Sequence, residues 1–243
     1  MLSAYGKLRS LGLALMDVGS VLTSASDHPR VIERQGPTGP ERGFLLKHHE
    51  KNPSDPLSPF FLNLRTPYSP TPGPLTPELV EHAAECMWSS LVMEDSDSAF
   101  DIDVVVGVPR AGDPFAKVIA GLAVAAWCSL AKEENGGTRS IAPHRSALAA
   151  VGQTALLVDD MITKADSKLE AIKVLRDAGL AVTDVVVLVD REQGGREELA
   201  RHGCELHTVF TIADLLDLYV ECGRIDPKLR LEITAYIADY AMR

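Results

Sequence analysis

Apolar residues along the chain fall into short blocks whose period switches between that of a helix and that of a strand. In TPELVEHAAECMWSSLV (76–92), Leu79, Ala83, Cys86, Met87 and Leu91 recur at helical spacing. Thr76 stands as an N-cap, Pro77 at the first helical position and Glu78 in the first turn, so a helix is expected there. Val104 to Val106 is wholly apolar and β-branched, the pattern of a strand covered on both faces. It meets a turn at Pro109-Arg110-Ala111-Gly112, and a small-residue helix follows. Ala155 to Val158 predicts a second strand that ends on Asp159 and Asp160, then a loop and a helix. In that helix Ser167 and Glu170 have capping-box spacing, Leu169, Ile172 and Leu175 form the apolar stripe, and Gly179 suits a C-cap. Residues 182–190 predict a third strand ending on Asp190, and 205–220 a final strand and helix. Strands alternating with helices give an α/β fold, a central parallel sheet flanked by helices.

Two stretches resist this reading. Residues 1 to about 78 are rich in Pro, Gly and Ser, which predicts loops, short strands and one early helix. Residues 131–153 are polar, lack a clear period and contain Gly136-Gly137, so a loop is expected.

Composition narrows the class. The 243 residues carry 46% hydrophobic residues, enough for a sizeable core in one large domain or a domain with an appendage. The net charge of −10 opposes non-specific nucleic-acid binding, which draws on Lys and Arg. Cys86, Cys128, Cys204 and Cys222 are widely spaced, as in a reduced cytoplasmic protein without a zinc site. No run approaches the roughly 20 apolar residues of a membrane span, and no signal peptide is evident. His48 and His49 beside Lys47 make a poor joint metal site, because neighbours on an extended segment face opposite ways.

The chemistry concentrates at the predicted strand ends, where open parallel sheets bind ligands. Asp159 and Asp160 are either solvated or hold something positively charged or hydroxylated. The loop after them leads into a helix N-terminus, whose amides and dipole favour a phosphate. A phosphorylated, polyhydroxylated ligand suits both.

At this point LLVDDMITKADSKLEAIKVLRDAG (156–179) resembles the phosphoribosyl-pyrophosphate (PRPP) motif of type I phosphoribosyltransferases, particularly the orotate phosphoribosyltransferases. GFLLKHHEKNPSDPLSPFFLNLR (43–65), VVVGVPRAGDPFAKVIAG (104–121) and VTDVVVLVDREQGG (182–195) are similar to that family's hood, pyrophosphate-loop and base-recognition segments, in order. The resemblance implies a type I phosphoribosyltransferase fold with an N-terminal hood: 1–42 as an extension, 43–78 as hood and 79–243 as core. It implies transfer of phosphoribosyl from PRPP to orotate, with Mg²⁺ carried mainly by PRPP. Asp159 and Asp160 would meet the ribose hydroxyls, Thr163 the orotate edge, and Lys164, Ala165, Asp166 and Ser167 the 5′-phosphate. Arg110 and Ala111 would meet pyrophosphate; Arg191, Lys47 and Phe60 or Phe61 would form the base pocket. Lys132 would open a catalytic loop that closes over a neighbouring subunit's site, hence a homodimer.

The chain departs from the family pattern twice. Thr163-Lys164-Ala165-Asp166-Ser167 lacks the glycines of the usual phosphate loop and adds a carboxylate. The catalytic-loop region keeps Lys132 but few other cations, with Arg139 or Arg145 as substitutes. The alternatives are therefore a transferase for another base, or a PRPP-binding regulatory protein.

Overall fold

The computed structural model describes residues 4–36, 39–94, 101–135, 138–143 and 151–241; side chains at 4, 48, 93–94, 132–135, 138–140, 142–143 and 240–241 lie outside the description. Helix α1 (Ala4–Asp17) is followed by β1 (Val21–Thr23), β2 (Ile32–Gly36), β3 (Gly39–Gly43), a 3-10 turn at Lys47–Glu50, and β4 (Phe60–Leu62). Then come α2 (Pro77–Glu94), β5 (Val104–Gly107), α3 (Asp113–Ala123), β6 (Ala126–Asn135), β7 (Thr138–Pro143) and β8 (Thr154–Ile162). The chain continues through α4 (Asp166–Asp177), β9 (Ala181–Asp190), α5 (Gly195–Arg201), β10 (Glu205–Thr211), α6 (Ile212–Glu221) and α7 (Pro227–Ala241).

The central sheet runs β10-β9-β8-β5-β6-β7, and its first five strands are parallel. Alternate residues of each strand feed opposite faces, as the pleat requires. Val105, Leu156, Val186 and Leu188 pack with α2, α3 and α6; Val104, Val106, Leu157 and Val187 pack with α4. Leu11 and Leu15 of α1, Phe60 of β4 and Ile233 of α7 join the first of these cores. Both faces are therefore apolar, which explains why the strands read as continuous apolar runs rather than alternating ones.

Three local expectations change. β8 does not stop at Val158 but runs through both aspartates to Ile162, because β9 offers ladder partners along its length (Asp159↔Val187, Met161↔Val189, Ile162↔Asp190). The stretch after Ala131 is not simply a loop: β6 extends to Asn135 and pairs antiparallel with β7, although residues 136–137 and 144–150 lie outside the described set. Ser167 and Glu170 do not form a capping box. The N-cap of α4 is Ala165, without a side-chain cap, and Glu170 instead accepts a 2.6 Å hydrogen bond from the Ile141 amide of β7. The capping box that does form joins Thr211 and Asp214 at α6. Thr76, as expected, caps α2 through the Leu79 amide (3.3 Å).

Candidate active site

Connections around β5 go to opposite sides: β5 pairs with β6 on one side and β8 on the other. This reversal of strand order opens a crevice beyond the carboxyl ends of β5 and β8, the place where α/β sheets bind ligands. A cleft of about 540 Å³ occupies it. Gly112, which precedes α3, lets the turn after β5 sit against β8: a Cβ there would lie 2.1 Å from the carbonyl oxygen of Val158.

The cleft floor is the end of β8. Asp159 and Asp160 are 4% and 7% exposed, so neither is a solvated surface acid. The Met161 amide donates to Asp160 Oδ1 (2.8 Å) and the Asp160 amide to Asp159 Oδ1 (2.9 Å). Lys168, in the first turn of α4 and 6% exposed, reaches back under the loop to pair with Asp159 and to donate to the Met161 carbonyl (2.5 Å). Burial, followed by the charge of Asp159, pushes the Asp160 carboxyl up to about 7, against the pull of Lys168. Sequence reasoning missed Lys168, which a helical pattern assigns to solvent.

Thr163, Lys164, Asp166 and Ser167 line the cleft between β8 and α4. Ala165 is buried beneath them and adopts φ 70°, the left-handed conformation that a glycine would take without strain. The missing glycine thus leaves the turn intact, and the residues that open α4 line the cleft. Asp166 is exposed at the first position of that helix, so its carboxylate stands at the mouth of the same anion site.

The opposite wall comes from the turn after β9. Arg191 hydrogen-bonds through its amide to the Ile162 carbonyl (3.1 Å), and its guanidinium lies 5.0 Å from the centroid of the Phe60 ring. Neighbouring acids are otherwise engaged: Asp190 accepts from the Glu192 amide and pairs with Arg196, while Glu192 accepts from the Ala213 amide. Gln193, 3% exposed, lines the cleft without a hydrogen-bond partner for either amide atom; no pattern in the sequence singled it out. Gly195 allows this turn to close on β8, since a Cβ there would lie 2.4 Å from the Thr163 carbonyl.

The roof is formed by β4 and the 3-10 turn. Phe60 and Phe61 both line the cleft, but differently: Phe60 is core, edge-on to Tyr236, and Phe61 stacks on Phe44. Lys47 is exposed at the rim, where the histidine segment is a 3-10 turn rather than extended. His49 there is turned inward, its Nε2 3.0 Å from the Pro56 carbonyl and its Nδ1 facing Leu46 backbone. Ala111 lines the cleft, whereas Arg110 is exposed and outside its lining. The Lys132 backbone belongs to β6, its side chain lies outside the described set, and Arg145 lies outside it altogether. No helix among the described residues is long and apolar enough to cross a membrane.

Comparison with known proteins agrees with this geometry. The model of the phosphoribosyl transferase domain matches residues 89–210, half of the chain. The chain is 29% identical to uridine 5′-monophosphate synthase of Bos taurus over 185 residues, which is 76% of this chain and 36% of that protein. It therefore spans about a third of the bovine protein's length. It is 33% identical to orotate phosphoribosyltransferase of Halobacterium salinarum over 141 residues, 57% of this chain and 78% of that one. The crystal structure of orotate phosphoribosyltransferase from Aeropyrum pernix shares the fold, with TM-score 0.56 and 21% identity over 88% of this chain and 99% of that chain. With its cleft at the strand-order reversal and an acidic pair on the cleft floor, the chain belongs to the phosphoribosyltransferase family.

Proposed function

We propose that this protein transfers the phosphoribosyl group of PRPP to orotate, giving orotidine 5′-monophosphate and pyrophosphate, a step of pyrimidine synthesis. The observation that carries the reading is the convergence of three features on one cleft: the buried acids of β8, the amides opening α4, and the guanidinium of Arg191. The Halobacterium salinarum relative carries the name of this activity.

In this reading Asp159 and Asp160 accept hydrogen bonds from the ribose hydroxyls. The amides of Lys164 to Ser167 take the 5′-phosphate, aided by the dipole of α4. Arg191 pairs with the orotate carboxylate, with Thr163 at the base edge, Lys47 at the rim and Phe60 and Phe61 on the hood side. Ala111 and Arg110 serve the diphosphate. The N1–C1′ bond forms as the bond from C1′ to the diphosphate oxygen breaks, so positive charge grows on the ribose and negative charge on the leaving group. The carboxylates beneath the ribose stabilise the former in a site where burial strengthens each charge interaction.

Mg²⁺ fits this donor set as a passenger of the substrate. It prefers oxygen ligands, and Asp159 is already engaged by Lys168, so PRPP oxygens would be its main ligands. When bound, it would supply charge neutralisation for the departing diphosphate. Residues 43–78 act as the hood, with 1–42 ahead of it and 79–243 as the core. The working unit is a cytoplasmic homodimer, in which Lys132 of β6 serves the neighbouring site.

The test is the absorbance of orotate in the presence of protein, PRPP and Mg²⁺, with PRPP omitted as control. Consumption should depend on PRPP. Arg191→Ala should raise the orotate KM by about 30-fold or more, the consequence of leaving a carboxylate unpaired in a buried site, while PRPP binding by calorimetry stays intact. Equal loss of both ligands would overturn the assignment of the base pocket.

A further inference from the structure

Lys168 occupies a position that local rules disfavour three times over. It lies in the first turn of α4, where the helix dipole repels a cation. It is almost fully buried, which strips water from an ammonium. It follows a loop that must present positive potential outward, yet its side chain runs inward. What offsets these costs is on the cleft floor: the ammonium meets Asp159 and the Met161 carbonyl together, and so ties the start of α4 to the end of β8.

The surroundings define what this contact controls. Sharing the cleft with the acidic pair are Lys168 from α4, Arg65 following β4, Lys47 from the 3-10 turn, Lys164 and Asp166 from the loop and helix start, Arg191 after β9 and Tyr236 from α7. Lys168 is the buried cation among them, and it is paired with Asp159. Arg65 and Lys47 are exposed.

We infer that Lys168 is a positioning residue of the ribose site: its buried ammonium ties Asp159 to the start of α4, fixes the orientation of that acid on the cleft floor and sets a positive charge beside the pair. Without it, burial and the charge of Asp159 would push Asp160 further toward its protonated form, and an acceptor for the ribose hydroxyls would be lost near neutral pH. The PRPP side of this inference rests on the ribose-site reading above; the ionisation side does not. Lys168 thereby explains how β8 carries its ladder through consecutive aspartates, which an apolar sheet would otherwise reject.

The experiment separates the sides. Ligand-free protein labelled at the aspartate carboxyl carbons is titrated by NMR as wild type, Lys168→Met and Lys168→Arg, with Asp160→Asn used for assignment. Titration of the pair should move up by about one pH unit or more in Lys168→Met, the usual effect of removing an adjacent opposite charge, and return toward wild type in Lys168→Arg. Should Lys168→Met not fold, Asp159→Asn is compared with Asp159→Asn/Lys168→Met, where Asp160 alone reports the upward shift. A pair that titrates alike with and without Lys168 would overturn the inference. PRPP affinity is then measured by calorimetry from pH 6 to 9. The Lys168→Met protein should bind about ten-fold more weakly than wild type at neutral pH and regain affinity as pH rises. A pH-independent loss would mean that Lys168 only supports the fold. Carboxyls that shift as expected in a protein that binds no PRPP would leave Lys168 in its ionisation role and refute the ribose-site reading instead.

Discussion

Asp160→Asn should make the protein more stable above neutral pH while disabling the site. The carboxyl is buried, and its environment raises it from the ordinary 3.8 to about 7. A raised acid holds its proton in the folded state at pH values where the unfolded chain has lost it. Its contribution is therefore fully present below about pH 4 and is lost as pH rises through 7. At about 1.4 kcal/mol per pH unit, the gap corresponds to a ceiling of about 4 kcal/mol. Coupling of the carboxyl to its neighbours makes this an upper bound, so about 2–4 kcal/mol is expected at pH 8. Asparagine is close in shape to the protonated acid, and its Oδ1 can still accept from the Met161 amide. Urea unfolding at pH 4.5, 6 and 8 is the assay. Wild type and variant should differ by about 1 kcal/mol at pH 4.5 and diverge further in favour of the variant by pH 8. PRPP binding should fall, because an ionised acceptor has been replaced by a neutral amide. A wild type that gains stability over the variant between pH 4.5 and 8 would refute the reasoning, since Asp160 would then be stabilised by its ionisation.

Two further substitutions probe the frame around the acids. Gly195→Ala puts a methyl 2.4 Å from the Thr163 carbonyl, so the Arg191 turn must retreat from β8; thermal unfolding should show a loss of about 1–3 kcal/mol, and the orotate KM should rise more than that of PRPP. Asp166→Ser removes a carboxylate from the mouth of the phosphate loop and should improve PRPP affinity by about three- to five-fold at low salt, less at high salt, as calorimetry would record. An unchanged affinity would mean that Asp166 does not face the phosphate.

The apolar strands and the α2 and α4 stripes were legible because burial on both sheet faces leaves a simple signature: Val104–Val106 and Val185–Val189 have nowhere to face but a core. The acid pair was legible as unusual, and the turn at Arg191 by resemblance. Less visible was everything in which a polar residue is held by a partner remote in sequence. Glu170 has the spacing of a capping box, but the Ile141 amide of β7 claims it. The β6–β7 pair escaped because its outer strands are polar and short of a clear period, while their pairing depends on one another and on α4. Helix α7 and its Tyr236, which lines the cleft beside Phe60, also gave no signal of a role at the site.

Asp159, Asp160 and Lys168 show why such cases resist sequence reading. A strand rule ends β8 before the aspartates, since an isolated carboxylate in an apolar sheet carries a desolvation cost of several kcal/mol. A helix rule leaves Lys168 in solvent, for the same reason with the sign of charge reversed. Each rule is sound for its residue taken alone, and both fail because the residues meet. The strand can continue because the helix supplies a cation, and the cation can be buried because the strand supplies an anion. Acids left in water would be easy to read, and acids buried without a counter-ion would be more readily protonated. The residues least predictable from their neighbours are thus the ones that meet on the cleft floor, and that is where local patterns and the observed structure diverge most in this protein.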